Sequence, residues 1–493
     1  MTVPFHQIPQ ALRVPLFYAE LDPSRANTAS LIQRTLIIGQ ILSTATMTPD
    51  VPIILTSTSD AKAAAGLGSV LAGMVDAYRR NDDTGEVWLL PLADPVGSAA
   101  ATGTITFTGP ATASGTLALY IDDLISIAVT SGQTATQIAT AVAAAINADA
   151  DLPVTASPAA GVVTLTAKNK GLVGNAIDVR VNYLGTANQE VLPAGVTATI
   201  VAMSSGSGSP VLTTGFANLQ DVPFDFITCS LNDATSRAAV TALLNDSVGR
   251  WSWSRQVYGH AWFAEKNTVG TASAAAAALN YQHMSYYPFP DSPSPSWKWA
   301  AAFCAAEAVS LRADPALPLQ TLAVNGIKAP LLPQQWNLGL RNSLLFSGCS
   351  TFRVDSGGNI SVENAITTYV SNALGQADDS YLQVETMFTI MYVLRSLAGV
   401  VNTRYARRKL AADGTRLRAG STVLTPNIIR AEIIAEYQRL EQEVEVVQDF
   451  VTFAKNLIVE KDPNNPSRVN VLFPGILMGG LRIFALLFQF RTQ

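Results

Sequence analysis

The chain has 493 residues, a net charge of -5 and a pI near 5.4, a balance that excludes a basic surface built to neutralise nucleic-acid phosphates. At roughly 150 residues per domain the length gives room for about three domains. Only 14% of residues are charged, below the ~25% typical of soluble domains, so Ser, Thr, Asn, Gln and Gly supply most of the polar surface. A sparsely charged surface repels its own copies weakly and favours association. Composition leaves two readings open: an Ala/Thr-rich chain from a GC-rich genome, or a chain that buries much of its surface against copies of itself.

In chain order, the first twenty residues carry Pro4, Pro9 and Pro15 among Phe5, Ile8, Val14, Leu16, Phe17 and Tyr18. Proline spacing without a helical period predicts an extended arm that must dock to bury its side chains. Nothing there has the basic and apolar regions of a signal peptide, which points to a protein made and kept in a cytosol. Leu36-Ile37-Ile38-Gly39 is a continuous apolar run of the kind found in strands covered on both faces. A helix from Ser59-Asp60 through Tyr78 and a strand at Val87 to Leu90 complete a strand, helix, strand unit. Gly66, Gly68 and Gly73 fall inside that helical pattern and are read as close-packing positions. The rhythm resumes with strands at Phe224 to Ile227, Val257 to Phe263 and Ser285 to Pro290. Helices are expected at Ser236 to Leu244, Ala272 to Tyr281 and Trp297 to Leu311, and this alternation predicts a mainly parallel sheet.

Between these halves, residues 96–205 are rich in Ala, Thr, Gly and Ser and nearly free of aromatics. Strands are expected at Gly103 to Phe107, Thr116 to Ile121, Ile125 to Val129 and Val162 to Ala167. Thr134 and Gln137 form a capping-box signature ahead of Ile138, Val142 and Ile146 on one helix face. The segment reads as a small inserted α+β domain on the surface, with Ser204 to Pro210 as its return linker.

In the last third, Ser361 is expected to cap a helix carrying Ile366, Tyr369, Val370 and Leu374, followed by a long apolar helix over Val384 to Val401. Thr425-Pro426 starts another, with Ile429, Ile433, Tyr437, Leu440, Val444 and Val447 on its apolar stripe and the charges off it. Near the end, Phe484, Leu486, Phe488 and Phe490 share one face of an expected strand whose other face is also apolar. Unpaired, such a strand is an aggregation hazard, so it must pair with its own sheet or with another subunit's. Ile476 to Phe490 is too short and too interrupted to span a bilayer.

The residues that could carry chemistry do not assemble into a motif. The chain has no phosphate-binding loop, no His-Glu-x-x-His and no Gly-x-Ser-x-Gly elbow. Its three histidines, His6, His260 and His283, read as structural. Cys229, Cys304 and Cys349 read as small core residues rather than a disulfide framework or zinc site. The pairs Asp82-Asp83, Asp122-Asp123 and Asp378-Asp379 lack the alternation of a calcium loop. One cluster does stand out: Arg404, Arg407, Arg408, Lys409, Arg416 and Arg418, around Asp413-Gly414. It is either a solvated face or an electrostatic contact, with the acidic helix 430–445 as a complementary surface within or between subunits.

Several runs resemble the contractile tail sheath proteins of Mu-like bacteriophages: Ala365 to Tyr369, Asp379 to Leu382, Lys409 to Thr415, Thr425-Pro426 and Asp462 to Pro474. Arg482 to Ala485, Gln489 to Arg491, the opening Phe5 to Leu16 and Gly206 to Pro210 do so as well. The resemblance spans essentially the whole chain and is weakest in the insert. Leu477-Met478-Gly479-Gly480 departs from the family pattern, and its glycines suggest a looser hinge before the terminal arm. The resemblance implies an α/β, subtilisin-like core with helices on both faces of its sheet and no protease triad. The core would comprise residues 21–95 and 206–354, the insert 96–205 facing outward, an α+β C-terminal domain 355–480, and arms 1–20 and 481–493. It implies hexameric rings stacked around a tail tube, arms completing sheets in neighbours, and contraction that drives the tube through a host envelope. Expected partners are copies of the chain, the tail tube protein, and baseplate and tail terminator proteins. No cofactor, direct nucleic-acid contact or stable membrane insertion is expected. The protein would be assembled in a bacterial cytoplasm and carried in the virion. Candidate interface residues are Phe5, Ile8, Val14, Leu16, Tyr18, Arg404, Arg407, Arg408, Lys409, Arg482, Phe484, Leu486, Phe488 and Phe490. The competing readings are a hydrolase on a subtilisin-like core and another tail or baseplate component.

Overall fold

The computed structural model describes residues 32–418 and 420–492. The expected N-terminal arm, with Phe5, Ile8, Val14, Leu16 and Tyr18, lies outside the described residues. A six-stranded sheet forms the centre. Thr35–Gln40 lies between Val87–Leu92 and Phe226–Cys229, all parallel. His260–Lys266 and Met284–Phe289 extend the sheet on the Phe226 side, again in parallel. The two-residue strand Ile53–Ile54 closes the other edge antiparallel to Val87–Leu92. All six residues of Thr35–Gln40 are buried, because helices cover both faces.

One face packs against helices Thr58–Ala65, Val70–Arg79 and Ser296–Ala313, the last contributing Trp297, Trp299, Phe303 and Leu311. The opposite face packs against Ala234–Leu244, Val269–Leu279 and Leu344 of Leu338–Phe346. The long helix over Ser59 to Tyr78 is in fact two, because Gly66 and Gly68 have φ of +89° and +80° and end the first. Gly68 also leaves no room for a side chain, since a Cβ there would collide with the carbonyl of Leu152. The strand expected at Val257 starts later, at His260, since Tyr258 and Gly259 adopt positive φ and turn the chain into the sheet.

Between Leu92 and Phe226 the chain builds two further sheets. Thr197–Ser204, Ala100–Thr108, Val162–Lys170 and Val154–Ala159 form one; Asp123–Val129, Gly115–Ile121 and Arg180–Val181 form the other. The helix Ala135–Ala148 opens with the expected capping box between Thr134 and Gln137. Its buried Ile138, Val142 and Ile146 belong to the same apolar cluster as the central sheet and its helices. The insert is therefore fused to the body. Asn169 accepts from Val70 N–H and donates to the Ile41 carbonyl, both at 2.9 Å. Lys298 pairs with Asp122, and Arg180 and Lys266 share Asp178 and Asp291.

The C-terminal third departs further from expectation. Ser361 caps no helix: Ile360–Asn364 is a strand between Thr351–Val354 and Ala323–Val324, and residues 365–383 run irregularly. Polar side chains explain the loss. Thr368 Oγ1, Asn372 Oδ1 and Asp378 Oδ1 accept backbone N–H groups at 3.0–3.1 Å, offering the chain an alternative to helical bonding. Val384–Val400 is helical, and with its continuation to Tyr405 it is long and apolar enough to cross a membrane by length and composition. It is nonetheless docked on the sheet: Phe388 stacks on Phe226 at 5.0 Å, and Arg395 reaches buried Asp225 at 2.5 Å. Pro426–Gln442 has Ile429, Ile433, Tyr437 and Leu440 buried against Phe453 and neighbours in its own domain. Glu436, expected off that stripe, is buried too, held by Arg439 at 2.6 Å and by the Ser396 hydroxyl.

Candidate assembly surface

Open parallel sheets bind ligands outside their carboxyl ends, where the strand order reverses. Here that point lies between Thr35–Gln40 and Phe226–Cys229, and the insert occupies it. Gln40 donates to Asp94 and to the Lys170 carbonyl, both at 2.8 Å, tying the strand end to inserted chain. A cavity of about 550 Å³ remains beside it, lined by Ser230, Asn232, Asp233, Arg237 and Lys266 among others, with no histidine.

The two described histidines lie elsewhere and are closed. His260 Nε2 is 2.8 Å from Ser285 Oγ, superficially a base beside a nucleophile, but both residues are fully buried. The Ser285 hydroxyl donates to the Ile366 carbonyl at 2.9 Å, so the imidazole must donate to the serine. That polarity is the reverse of what a general base needs. Burial pushes the His260 pKa well below the usual value. His283 stacks on Trp251 at 4.2 Å and meets Asp246 at 2.6 Å; burial lowers its pKa, and Asp246 opposes the shift. His6 is outside the described residues. All three cysteines are buried and unpaired, and burial raises the pKa of each.

What the body does present outward is charge and apolar chain. Arg404, Arg407, Arg408 and Lys409 are exposed, along a π turn after Val400 and a two-residue strand Lys409–Leu410. Within the described residues only Arg404 finds an acidic partner, Glu432 at 3.7 Å on the acidic helix. The intrasubunit pairing of the basic cluster with that helix is thus a single long contact.

From Met478 on, the described chain has no regular structure and pairs with no strand of its own subunit. Ile483, Phe484, Leu486, Leu487, Phe488 and Phe490 are 74–85% exposed. The expected strand face is present in sequence, but among the described residues nothing covers it. Arg482 differs from these apolar residues in having partners within its own subunit. Its side chain turns inward, 2.8 Å from Glu385 and 2.7 Å from the Asn364 oxygen. The glycine pair is not a simple hinge either. Gly479 stands free, whereas Gly480 lies so close to Pro318 that a Cβ would collide with the ring. Sequence reasoning missed Glu385, Asn364 and Gln320 at this junction, because their partners are 97 to 161 residues away and no local pattern marks them.

The two described histidines are thus sealed, while the described terminal segment is apolar and uncovered. Residues 205–368 match the phage tail sheath protein central domain, and residues 376–491 match the phage tail sheath C-terminal domain. The chain belongs to the phage tail sheath family, whose members are structural proteins of the virion that assemble into oligomeric sheaths, and are not enzymes. It is 37% identical to the Mu-like prophage FluMu tail sheath protein of Haemophilus influenzae, over 99% of this chain and 100% of that one. Solved structures with similarity include a sheath tail protein from Desulfitobacterium hafniense, 13% identical, covering 94% of this chain and all of that one, TM-score 0.47. A sheath tail protein from Listeria innocua is 12% identical over 90% of this chain and 92% of its own, TM-score 0.46. A chain of the anti-feeding prophage baseplate is 11% identical, over 98% of this chain and all of that one, TM-score 0.49.

Proposed function

We propose that this subunit polymerises as stacked hexameric rings around a tail tube and contracts to drive the tube through a host envelope. The observation that carries this reading is the uncovered apolar arm. Burying six large apolar side chains at about 1.5–3 kcal/mol each offers a driving force on the order of 10 kcal/mol per subunit, before ordering costs. An extended segment takes up that energy by adding a strand to an open sheet edge. Two-stranded Ile458–Lys461 and Val469–Leu472 supplies such edges, with Ile458, Val471 and Leu472 exposed. Donating a strand head-to-tail is heterologous, so it propagates along a stack. Residues 483–490 are the donor, and by resemblance the N-terminal segment with Phe5, Ile8, Val14, Leu16 and Tyr18 is a second one.

On this reading the central body is a subtilisin-like core without a triad, residues 96–205 face away from the tube, and 355–480 form the C-terminal domain that leads into the arm 481–493. The insert's location over the sheet's carboxyl edge supports a scaffold role for that edge. Contraction is a rigid-body change between two packings of an intact subunit, released from a metastable assembly without nucleotide. The tube protein, baseplate and tail terminator are its partners, and assembly takes place in the host cytoplasm. Arg407, Arg408 and Lys409 meet acidic surface on a neighbour.

Deleting residues 483–493 is expected to leave a folded, soluble subunit that forms no tubes, in electron micrographs of the protein co-expressed with its tube protein. Long striated tubes from that truncated chain would sink the donor-strand reading.

A further inference from the structure

We infer that Arg482 is the positioning residue of the C-terminal arm: its pairing with Glu385 and Asn364 fixes where the arm leaves the body, so that only the chain beyond it is handed to a neighbour. The inference rests on the donor-strand reading above and adds to it the point of departure. Four contacts converge within three residues. Gly480 presses on Pro318 where no side chain would fit. The Leu481 carbonyl accepts from Gln320 Nε2 at 3.1 Å. Arg482 donates from one amino group to Glu385 Oε1 at 2.8 Å and from the other to Asn364 Oδ1 at 2.7 Å. Beyond it, Ile483 is 85% exposed, so the transition from held to free chain occurs at one peptide bond.

Glu385 is built to receive that guanidinium. It is 4% exposed, in the first turn of Val384–Val400, and its Oε1 also accepts from Leu319 N–H. Oε2 is buried without a partner. A carboxylate this buried is costly unless a cation faces it, and Arg482 is the cation present. The segment Pro318 to Gln320 therefore touches both the arm root and its receiver. Pro318 meets Gly480, Leu319 holds Glu385, and Gln320 holds Leu481.

The clamp sets reach and direction. Eleven residues, 483–493, follow Arg482, a span of at most roughly 36–40 Å when extended. If the whole root from Gly480 to Arg482 lets go, the last tie to the body is Met478 N–H on the Val446 carbonyl, and fifteen residues, 479–493, would swing free. Lengthening a flexible tether from eleven to fifteen residues lowers its closing probability only about 1.6-fold. Slack alone would barely affect assembly; loss of a fixed exit would affect it strongly.

Three chains decide the matter: Glu385→Gln, the double variant Arg482→Ala with Glu385→Gln, and the deletion of 483–493. The double variant removes the cation without leaving a buried carboxylate, so a thermal melt near that of the wild type is expected. In unassembled Glu385→Gln, trypsin is expected to cut after Arg482 about tenfold or more faster than in the wild type, because the neutral amide holds the guanidinium less tightly. With the tube protein present, the double variant is expected to yield about tenfold fewer tubes or worse, although its apolar arm is intact. Equal cleavage rates, or wild-type tube yield from a folded double variant, would overturn the clamp. Tubes from the deletion would instead overturn the donor-strand reading, and the cleavage result would still report on the clamp.

Discussion

Glu307 shows how a single side chain links fold to pH in this subunit. It is fully buried in Ser296–Ala313, where it accepts from Trp262 Nε1 at 2.9 Å and from the Tyr287 hydroxyl at 2.5 Å. Burial raises its pKa to about 8, with the two hydrogen bonds opposing the shift. The folded value lies above the 4.5 of an exposed glutamate, so the folded state holds the proton more tightly. Its contribution is full below about pH 4.5 and is lost as pH rises through about 8, a decline on the order of a few kcal/mol. Glu307→Gln cannot ionise, and its thermal melting is expected to be flatter than the wild type's between about pH 5 and 8. Parallel melting curves for the two proteins would contradict the assignment. The histidines make the complementary point at the same scale. His260 and Ser285 lie within hydrogen-bond reach, but the Ser285 hydroxyl is committed to the Ile366 carbonyl, in keeping with the structural role read for that histidine.

Elements formed where local chemistry and burial agreed. Thr134 and Gln137 satisfy each other's backbone N–H groups, and Ile138, Val142 and Ile146 bury one face, so Ala135–Ala148 stands as read. Thr134→Ala is expected to cost about 1 kcal/mol in urea unfolding; an unchanged midpoint would mean that packing alone sustains this helix. Elements failed where a stronger local bond was available. Ser361 has a capping residue's chemistry, but its backbone is committed to a strand paired with Arg353 and Ala323. The helical period from Asp60 to Tyr78 survived, but Gly66 and Gly68 broke its backbone because their left-handed φ lets the chain turn toward the insert.

For the whole molecule, low surface charge and an uncovered arm point the same way, toward association. The exposed Arg407 and Arg408 give that association an electrostatic component that salt should screen over about 10 Å at 0.1 M. Arg407→Glu with Arg408→Glu is expected to slow tube formation several-fold at low salt and to flatten its salt dependence, as followed by light scattering. An unchanged salt curve would mean that these cations face solvent in the assembly. The insert bears on the same scale. Its apolar cluster and its ion pairs to Lys266, Asp291 and Lys298 make it part of one body, so it must travel with that body in any rearrangement.

By itself the sequence determined the alternating strands and helices, the parallel centre, the capped insert helix and the apolar terminal segment. Each follows from the spacing of side chains along a few turns or strand pairs, which is local information. The resemblance to sheath proteins also rested on short local runs such as Lys409 to Thr415. Only the tertiary structure decided that the insert closes the sheet's carboxyl edge, that the Ser285 hydroxyl donates to Ile366 rather than to His260, and that Arg482 points inward while Phe484 points out. Those outcomes depend on groups separated by 25 to 130 residues, and which buried carboxylate meets which cation is settled only when packing brings them into one low-dielectric space.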